Sequence, residues 1–162
     1  MARYLTDGTI DTTFSSDGRL TFHVGTDSAY STVEDAQSGI LVLGAVDSDF
    51  ALFRFTSTGG LDTSFATAGM QITDIGSSTA DTGRALVIAK SGRILAFGSS
   101  ETNLALMRYT TAGIADYTFS TDGIQTYTFG TDAGLAMNLA NDERILVAVS
   151  IGTDFSVERI CP

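Results

Sequence analysis

The chain has 162 residues, a formal net charge of −10 and 43% hydrophobic residues, which is enough apolar content for one domain with its own core. Seventeen glycines against one proline are typical of short strands joined by tight turns. The acidic balance argues against binding to nucleic acid or to an anionic membrane surface. No apolar run is long enough to span a bilayer, and no basic and apolar leader precedes the first element, so we expect no signal peptide.

In chain order the first element is the segment at residues 2–14 (ARYLTDGTIDTTF). It returns at residues 53–65 (FRFTSTGGLDTSF) and 107–119 (MRYTTAGIADYTF), and a fourth start follows at residues 158–160. Successive arginines of these segments are 51, 54 and 51 residues apart, and the three additional residues of the middle unit predict a loop insertion near residues 79–83. The sequence therefore predicts one repeat domain over residues 1–162, with units at about 3–53, 54–107 and 108–162.

Apolar segments separated by turn residues predict the strands between these segments. In chain order the predicted strands are 29–34, 40–46, 70–75, 84–89, 94–99, 103–109, 135–140, 145–149 and 154–160. Residues 40–46 and 145–149 are apolar at every position, whereas an antiparallel strand with one wet face alternates. Each small sheet is thus expected to be covered on both faces.

Radial stacking of four-stranded blades meets that requirement, so the predicted fold is an all-β propeller with three four-stranded blades per chain. Propellers close with about four to eight blades, which is more than this chain supplies. The N-terminal segment and the strand at residues 154–160 each supply part of one blade. We therefore expect a homodimer in which strand exchange at this split blade closes a ring of six blades, the alternative being a piece of a longer array.

The motif at residues 50–65 (FALFRFTSTGGLDTSF) and the later hairpin at residues 92–98 (GRILAFG) resemble the bacterial delta-60 repeat family. The resemblance covers essentially the whole chain in three copies. It implies a propeller-like fold and a parent protein that is secreted or surface-associated, and it implies no catalytic activity for the repeat. The third unit departs from the pattern at Tyr117 and at residues 141–143, where the turn glycine seen at Gly39 and Gly92 is missing.

Residues that recur in every unit are interpreted as structural. Each arginine is followed eight residues later by an aspartate and eleven residues later by a phenylalanine. We expect ion pairs that tie a strand to the loop after it, and aromatic plugs between blades. The residues in this structural set are Arg3, Asp11, Phe14, Arg54, Asp62, Phe65, Arg108, Asp116, Phe119 and Arg159.

Residues that do not recur offer little for catalysis. His23 is the only histidine and has no partner pattern for a metal or a triad, so an exposed or half-buried strand residue is expected. Cys161 is the only cysteine and cannot form an internal disulfide; it is expected to be an inert thiol. Glu34 and Asp35 point to opposite sides of a strand and are interpreted as the solvated start of a turn.

An acidic group of loops is the one pattern that suggests a ligand. The loops on one side of the predicted blades carry Asp27, Asp47, Asp49, Asp81, Glu101, Asp132 and Asp154. Ring closure would gather these carboxylates around one mouth of a channel, where they could hold Ca²⁺ or attract a basic partner. The simpler interpretation is a solvated acidic surface, because no contiguous calcium-binding loop is present.

Two functions follow from this sequence. The first is a non-enzymatic structural or binding scaffold, an oligomeric propeller without a resident cofactor that binds a basic protein, a glycan or a cation. The alternative is a hydrolase or lyase with a cation-assisted site at the acidic mouth, a suggestion that rests on fold analogy. The predicted inner strands offer Tyr30, Thr32, Glu34, Arg84 and Asn138, which is a small set for catalysis.

Overall fold

The computed structural model describes residues 1–76, 80–128 and 132–160, with the backbone alone for residues 132–135. These residues form eleven strands in three antiparallel sheets, and none of them forms a helix that could cross a membrane. The strands are β1 (Asp27–Glu34), β2 (Ile40–Val46), β3 (Asp49–Phe55), β4 (Met70–Thr73), β5 (Asp81–Ile88), β6 (Ile94–Ser100), β7 (Asn103–Tyr109), β8 (Ile124–Tyr127), β9 (Asp132–Leu139), β10 (Ile145–Ile151) and β11 (Asp154–Ile160).

The first sheet has the order β1-β2-β3-β4, the second β5-β6-β7-β8 and the third β11-β10-β9. Each is a meander of neighbouring antiparallel strands, so the predicted all-β fold is confirmed. Of the three predicted four-stranded blades, two have four strands and the third has three strands in the described chain. The inner strands begin earlier than predicted, at Asp27, Asp81 and Asp132, and β4 ends at Thr73. The predicted loop insertion falls partly on residues 77–79, which lie outside the described residues.

A bulge marks the innermost strand pair of each sheet. The register shifts between Ala29 and Ser31 in β1 and between Gly83 and Ala85 in β5. Facing these bulges are Gly44 and Gly98, where an added Cβ would lie 1.8 Å from the Ser28 carbonyl oxygen and 1.9 Å from that of Thr82. Only glycine allows the two backbones to approach this closely.

The core lies between the sheets. One cluster joins Leu41, Leu43, Phe50 and Leu52 of the first sheet to residues of the second, and another joins the second sheet to Ile145, Val147 and Val149 of the third. The continuous apolarity of residues 40–46 thus reflects cover on both faces. In β10 burial alternates instead, so within the described chain only one face of this strand has the expected cover. Its outer face meets no sheet in the described chain.

The N-terminal segment precedes the first sheet and repeats the geometry found after β3 and β7. The Arg3 amide donates to the Gly18 carbonyl as Arg54 does to Gly69 and Arg108 to Gly123. Residues 19–22 therefore stand where β4 and β8 stand in the other units. The Phe22 ring contacts Phe53 and Phe55 at centroid distances of 5.6 and 5.5 Å, which covers the free face of the first sheet.

The third sheet contains three strands, and β11 forms its edge. Phe155 and Val157 of β11 are 82% and 66% exposed. Their counterparts Phe50 and Leu52 in β3 are fully buried. Three stacked sheets are thus present in the described chain, and these sheets form no closed ring.

Candidate functional site

The ends of the sheets at which the odd-numbered strands begin carry most of the predicted acidic set. We call this side the acidic edge and define it by Asp27, Asp47, Asp49, Asp74, Asp81, Glu101 and Asp154. Asp132 begins β9 on the same side, and its side chain lies outside the described residues.

Three carboxylates of the acidic edge converge. One oxygen each from Asp49, Asp74 and Asp81 lies within 4.8 Å of the others. Asp49 begins β3, Asp74 follows β4 and Asp81 begins β5, so two neighbouring sheets contribute. Oxygens at this separation match the hard, all-oxygen ligand sets that Ca²⁺ prefers.

Asp81 is the buried member of this cluster, with 1% of its surface exposed. Its Oδ2 accepts the Ile75 amide at 2.6 Å, and its own amide donates to the Ser48 carbonyl at 2.6 Å. The Ser100 hydroxyl donates to the Ile75 carbonyl at 2.9 Å. These bonds hold Ile75 and Asp81 together where the first and second sheets meet.

Asp49 is the electrostatically perturbed member. Its partial burial, followed by repulsion from Asp74, Asp81 and Asp47, raises the pKa of its carboxyl above the ordinary value. The charged form of Asp49 is therefore disfavoured, and a cation at this position would relieve the repulsion.

The remaining acidic residues serve their own loops. Asp47 Oδ1 accepts the Thr26 amide at 2.7 Å, and Asp27 Oδ2 accepts the Val24 amide at 2.8 Å. His23 is exposed and its Nδ1 lies 3.1 Å from the same Asp27 oxygen. Glu101 and Asp154 are exposed. Of the seven predicted carboxylates, Asp49 and Asp81 thus lie in the cluster and Asp27 and Asp47 bind loop amides, while Glu101 and Asp154 are exposed.

Asp74 was missed by the sequence analysis because it fell within the predicted strand 70–75, whereas β4 ends at Thr73. Its counterpart in the third unit is Thr128. The signal that could have found it is the pairing of Phe50 with Thr73, which puts the residues just beyond this pair side by side. That pairing follows from the register of β3 and β4, which the motif spacing alone does not give.

The opposite edge holds the recurring ion pairs. Arg3 Nε lies 2.8 Å from Asp11 Oδ2, Arg108 Nε lies 2.9 Å from Asp116 Oδ2, and Arg54 Nη1 contacts Asp62 Oδ2. We call each of these an Arg–Asp brace. The other oxygen of each aspartate accepts the hydroxyl and amide of the residue two positions on, which are Thr13, Ser64 and Thr118.

These contacts all stabilise the charged form of the aspartate. The Thr118 hydroxyl and the Arg93 and Arg108 guanidiniums lower the pKa of Asp116 despite its burial. The pKa values of Asp11 and Asp62 are lowered in the same direction, chiefly by Thr13 and Ser64. A carboxylate held this way favours its ionised form and accepts hydrogen bonds.

The interpretation of Asp35 as the solvated start of a turn was wrong. Asp35 Oδ2 lies 2.7 Å from Arg54 Nε, and its side chain is 13% exposed. Its Oδ1 also accepts the Gly39 and Gln37 amides. The hairpin between β1 and β2 brings Asp35 to Arg54, nineteen residues away. In the second sheet Arg93 reaches Asp116 instead, at 2.6 Å.

The predicted plugs lie at the contacts between units. Phe14, Phe65 and Phe119 are buried, and the Phe65 ring fills the space where Gly113 would carry a Cβ. The residues after Phe14 and Phe65 also connect neighbouring units. The Ser15 amide donates to the Thr58 carbonyl, and the Ala66 amide donates to the Ala112 carbonyl.

Other predicted residues are scattered. On the inner strands the Arg84 guanidinium lies over the Tyr30 ring at 4.2 Å, which is a cation–π contact. Cys161 lies outside the described residues. Arg159 is exposed and makes no hydrogen bond or ion pair with the part of the chain that the structure describes, unlike the other arginines of its set.

Residues 1–14 match the model of a family described as a domain of unknown function (DUF5122) beta-propeller. The match covers a small part of the chain, and it supports a β-propeller-like repeat together with the three stacked antiparallel sheets. No curated protein matches the chain.

Proposed function

We propose that this chain is a non-enzymatic scaffold, a β-propeller module of the delta-60 type that binds a ligand at its acidic edge. The observation that carries the proposal is the convergence of Asp49, Asp74 and Asp81 from two sheets. The recurring charged residues on the other side serve the Arg–Asp braces, so they are committed to the architecture. The carboxylates of the acidic edge take no part in these braces.

The ligand that best fits this edge is a divalent cation, with Ca²⁺ as the first candidate. Three carboxylates held at short range repel one another, and this repulsion adds to partial burial in raising the pKa of Asp49. A bound cation would offset the repulsion and connect the first and second sheets. A basic protein segment would use the same charge complementarity with weaker geometric demands.

Thermal unfolding with and without CaCl₂ tests the proposal, with NaCl at matched ionic strength as the reference. Calcium should raise the melting temperature of the native chain, since a ligand that binds only the folded state stabilises it. Asp49→Asn should lose most of this rise. Asp122→Asn, which removes an exposed charge away from the cluster, should keep it. Equal responses in the two variants would contradict a site at the cluster.

A second candidate is the cation-assisted hydrolase or lyase at the same cluster. The convergence of the three carboxylates favours it, because a cation held there could polarise a bound substrate as a Lewis acid. Calcium-dependent turnover of a panel of glycosides and esters that is lost in Asp49→Asn would establish this candidate over the scaffold. Turnover unchanged in Asp49→Asn would place any catalysis elsewhere.

A further inference from the structure

The two contacts between sheets follow one pattern. Phe50 and Leu52 of β3 bury against the second sheet, and Leu104 and Leu106 of β7 bury against the third. The equivalent residues of β11 are Phe155 and Val157, which are exposed. The third sheet thus presents the apolar face that the first two sheets bury.

The other end of the stack carries the complementary surface. An apolar groove of about 130 Å³ lies between the N-terminal segment and the first sheet. Its lining includes Met1, Leu20, Phe22, Phe53 and Phe55. Phe53 and Phe55 correspond to Met107 and Tyr109, which in the second sheet pack against the first. The groove therefore lies where a preceding sheet would pack.

The arginines of the third sheet also indicate a surface at which a further segment would pack. Arg159 pairs with Leu146 in the β10–β11 ladder, just as Arg54 pairs with Leu41 and Arg108 with Leu95. Arg54 and Arg108 each bind an aspartate of the following segment, whereas Arg159 makes no such contact among the described residues. Arg144, at the position of Arg93, forms its one ion pair within the described residues with its neighbour Asp142, at 3.2 Å. The third sheet thus presents two arginines where the second sheet uses two to bind Asp116.

We propose that β11 of one copy pairs with residues 19–22 of a second copy, and the reverse, so that two copies close a ring of six sheets. The proposal rests on the propeller scaffold proposed above. The β3–β4 register, transferred to this pair, sets Phe155 opposite the partner's Phe22 and Val157 opposite the partner's Leu20. It also sets Glu158 opposite the partner's Arg19, which pairs opposite charges across the strands.

One local exchange accompanies this pairing. In the single chain, Met1 and Ala2 pair with Leu20 and Arg19 as an antiparallel strand would. The Met1 and Leu20 main chains exchange two hydrogen bonds there. Val157 and Glu158 take over that position in the ring. Arg159 then reaches the partner's Asp11 in place of Arg3, and Arg144 approaches the same aspartate as Arg93 approaches Asp116.

The solution mass and two arginine variants test the ring. Light scattering on a size-exclusion column should give about twice the 17.0 kDa of one chain. Arg159→Met should raise the dimer dissociation constant on the order of tenfold to a hundredfold, because it leaves the partner's aspartate without its new partner. Arg3→Met removes the equivalent arginine from the displaced segment and should leave the dimer as tight or tighter.

Cysteine pairs test the register. In a Cys161→Ser background, Leu20→Cys with Val157→Cys should form an intermolecular disulfide, because residues directly opposite on one face satisfy disulfide geometry. Leu20→Cys with Ser156→Cys should not, since neighbouring strand residues point to opposite faces.

A monodisperse 17 kDa species over a range of concentrations, an assembly larger than two chains, or a dimer indifferent to Arg159→Met would each overturn the ring. The calcium response depends on Asp49, Asp74 and Asp81 of a single chain. Monomeric protein that still responds to calcium would therefore reject the ring and retain the proposed scaffold. A dimer without a calcium response would do the opposite.

Discussion

At the scale of single residues, the aspartates of this chain lie in two opposite electrostatic environments. In each Arg–Asp brace the aspartate binds an arginine, and the hydroxyl of the residue two positions later also donates to it. At the acidic edge aspartates face one another. The first arrangement lowers the pKa of Asp116, whereas burial and the neighbouring carboxylates raise the pKa of Asp49.

Arg54→Met should destabilise the fold by about 2 kcal/mol, because it leaves the half-buried Asp35 and Asp62 without their cation. Lys90→Met removes an exposed lysine and should cost less than about 1 kcal/mol. Urea denaturation followed by circular dichroism measures both. Equal losses in the two variants would show that Arg54 contributes no more than a surface charge.

Acid should weaken the fold through the braces. Asp11, Asp62 and Asp116 have folded-state pKa values below the ordinary value, so their contribution is present above the unfolded-state pKa, about 3.9. It is lost as the pH falls through the folded-state values. Asp49 has the opposite shift, and its protonation on mild acidification should stabilise the fold slightly.

Unfolding free energies measured from pH 7 to pH 2 check this dependence. Asp116→Asn should be destabilised at pH 7, and the gap to the native chain should narrow as the pH falls. A gap independent of pH would mean that the Asp116 charge does not contribute.

Whether a contact between two residues could be predicted from the sequence depends on how far apart the residues are along the chain. Arg54 and Asp62 are eight residues apart and recur at that spacing, so their contact could be predicted from the motif. Asp35 meets Arg54 only because a hairpin returns the chain, and Asp74 meets Asp81 only because two sheets pack. Those contacts depend on register and packing, which spacing does not encode.

At the scale of elements, the hairpins and their bulges determine the shape of each sheet. The two residues between β2 and β3, Asp47 and Ser48, both have positive φ, as a tight hairpin turn requires. Gly44 and Gly98 allow the inner strand to bulge against its neighbour. In the third sheet Val149 takes the corresponding place, and it pairs with Gly134, so one member of the pair is again a glycine.

Gly98→Ala should destabilise the protein by about 2 kcal/mol, because the new Cβ would meet the Thr82 carbonyl and the backbone must shift. Gly60→Ala is the matched control, since its nearest neighbour is the Thr56 hydroxyl at 3.5 Å and its φ is not positive. Thermal unfolding of both variants gives the comparison. A tolerated Gly98→Ala would mean that the bulge relaxes without cost.

Strand existence was predictable because apolar runs and turn residues alternate along the chain. The first and last residues of the strands were less predictable. Strands β1 and β5 begin two and three residues before the predicted starts, because the bulges let their polar first residues stay paired. The half-open face of β10 was also missed. Its apolar sequence is the same whether or not a neighbour covers it.

At the scale of the whole molecule, burial falls from the middle sheet outward. The second sheet packs against a sheet on each side, while the third packs against one. Hydrogen exchange followed by mass spectrometry should therefore find the slowest amides in β6, which is paired on both edges and buried on both faces. Exchange at equal rates in all three sheets would contradict this order and indicate a single cooperative opening.

The sequence unit and the sheet start at different points of the chain, and this offset affects how such a chain can gain or lose units. Each unit that starts at an arginine begins at the end of one sheet and supplies the first three strands of the next, as Arg54 and β5 to β7 illustrate. Duplicating or deleting one unit therefore adds or removes one sheet without leaving a sheet cut off from its neighbours. A gene built this way can vary the number of sheets in its product one at a time, with every junction made by contacts already present.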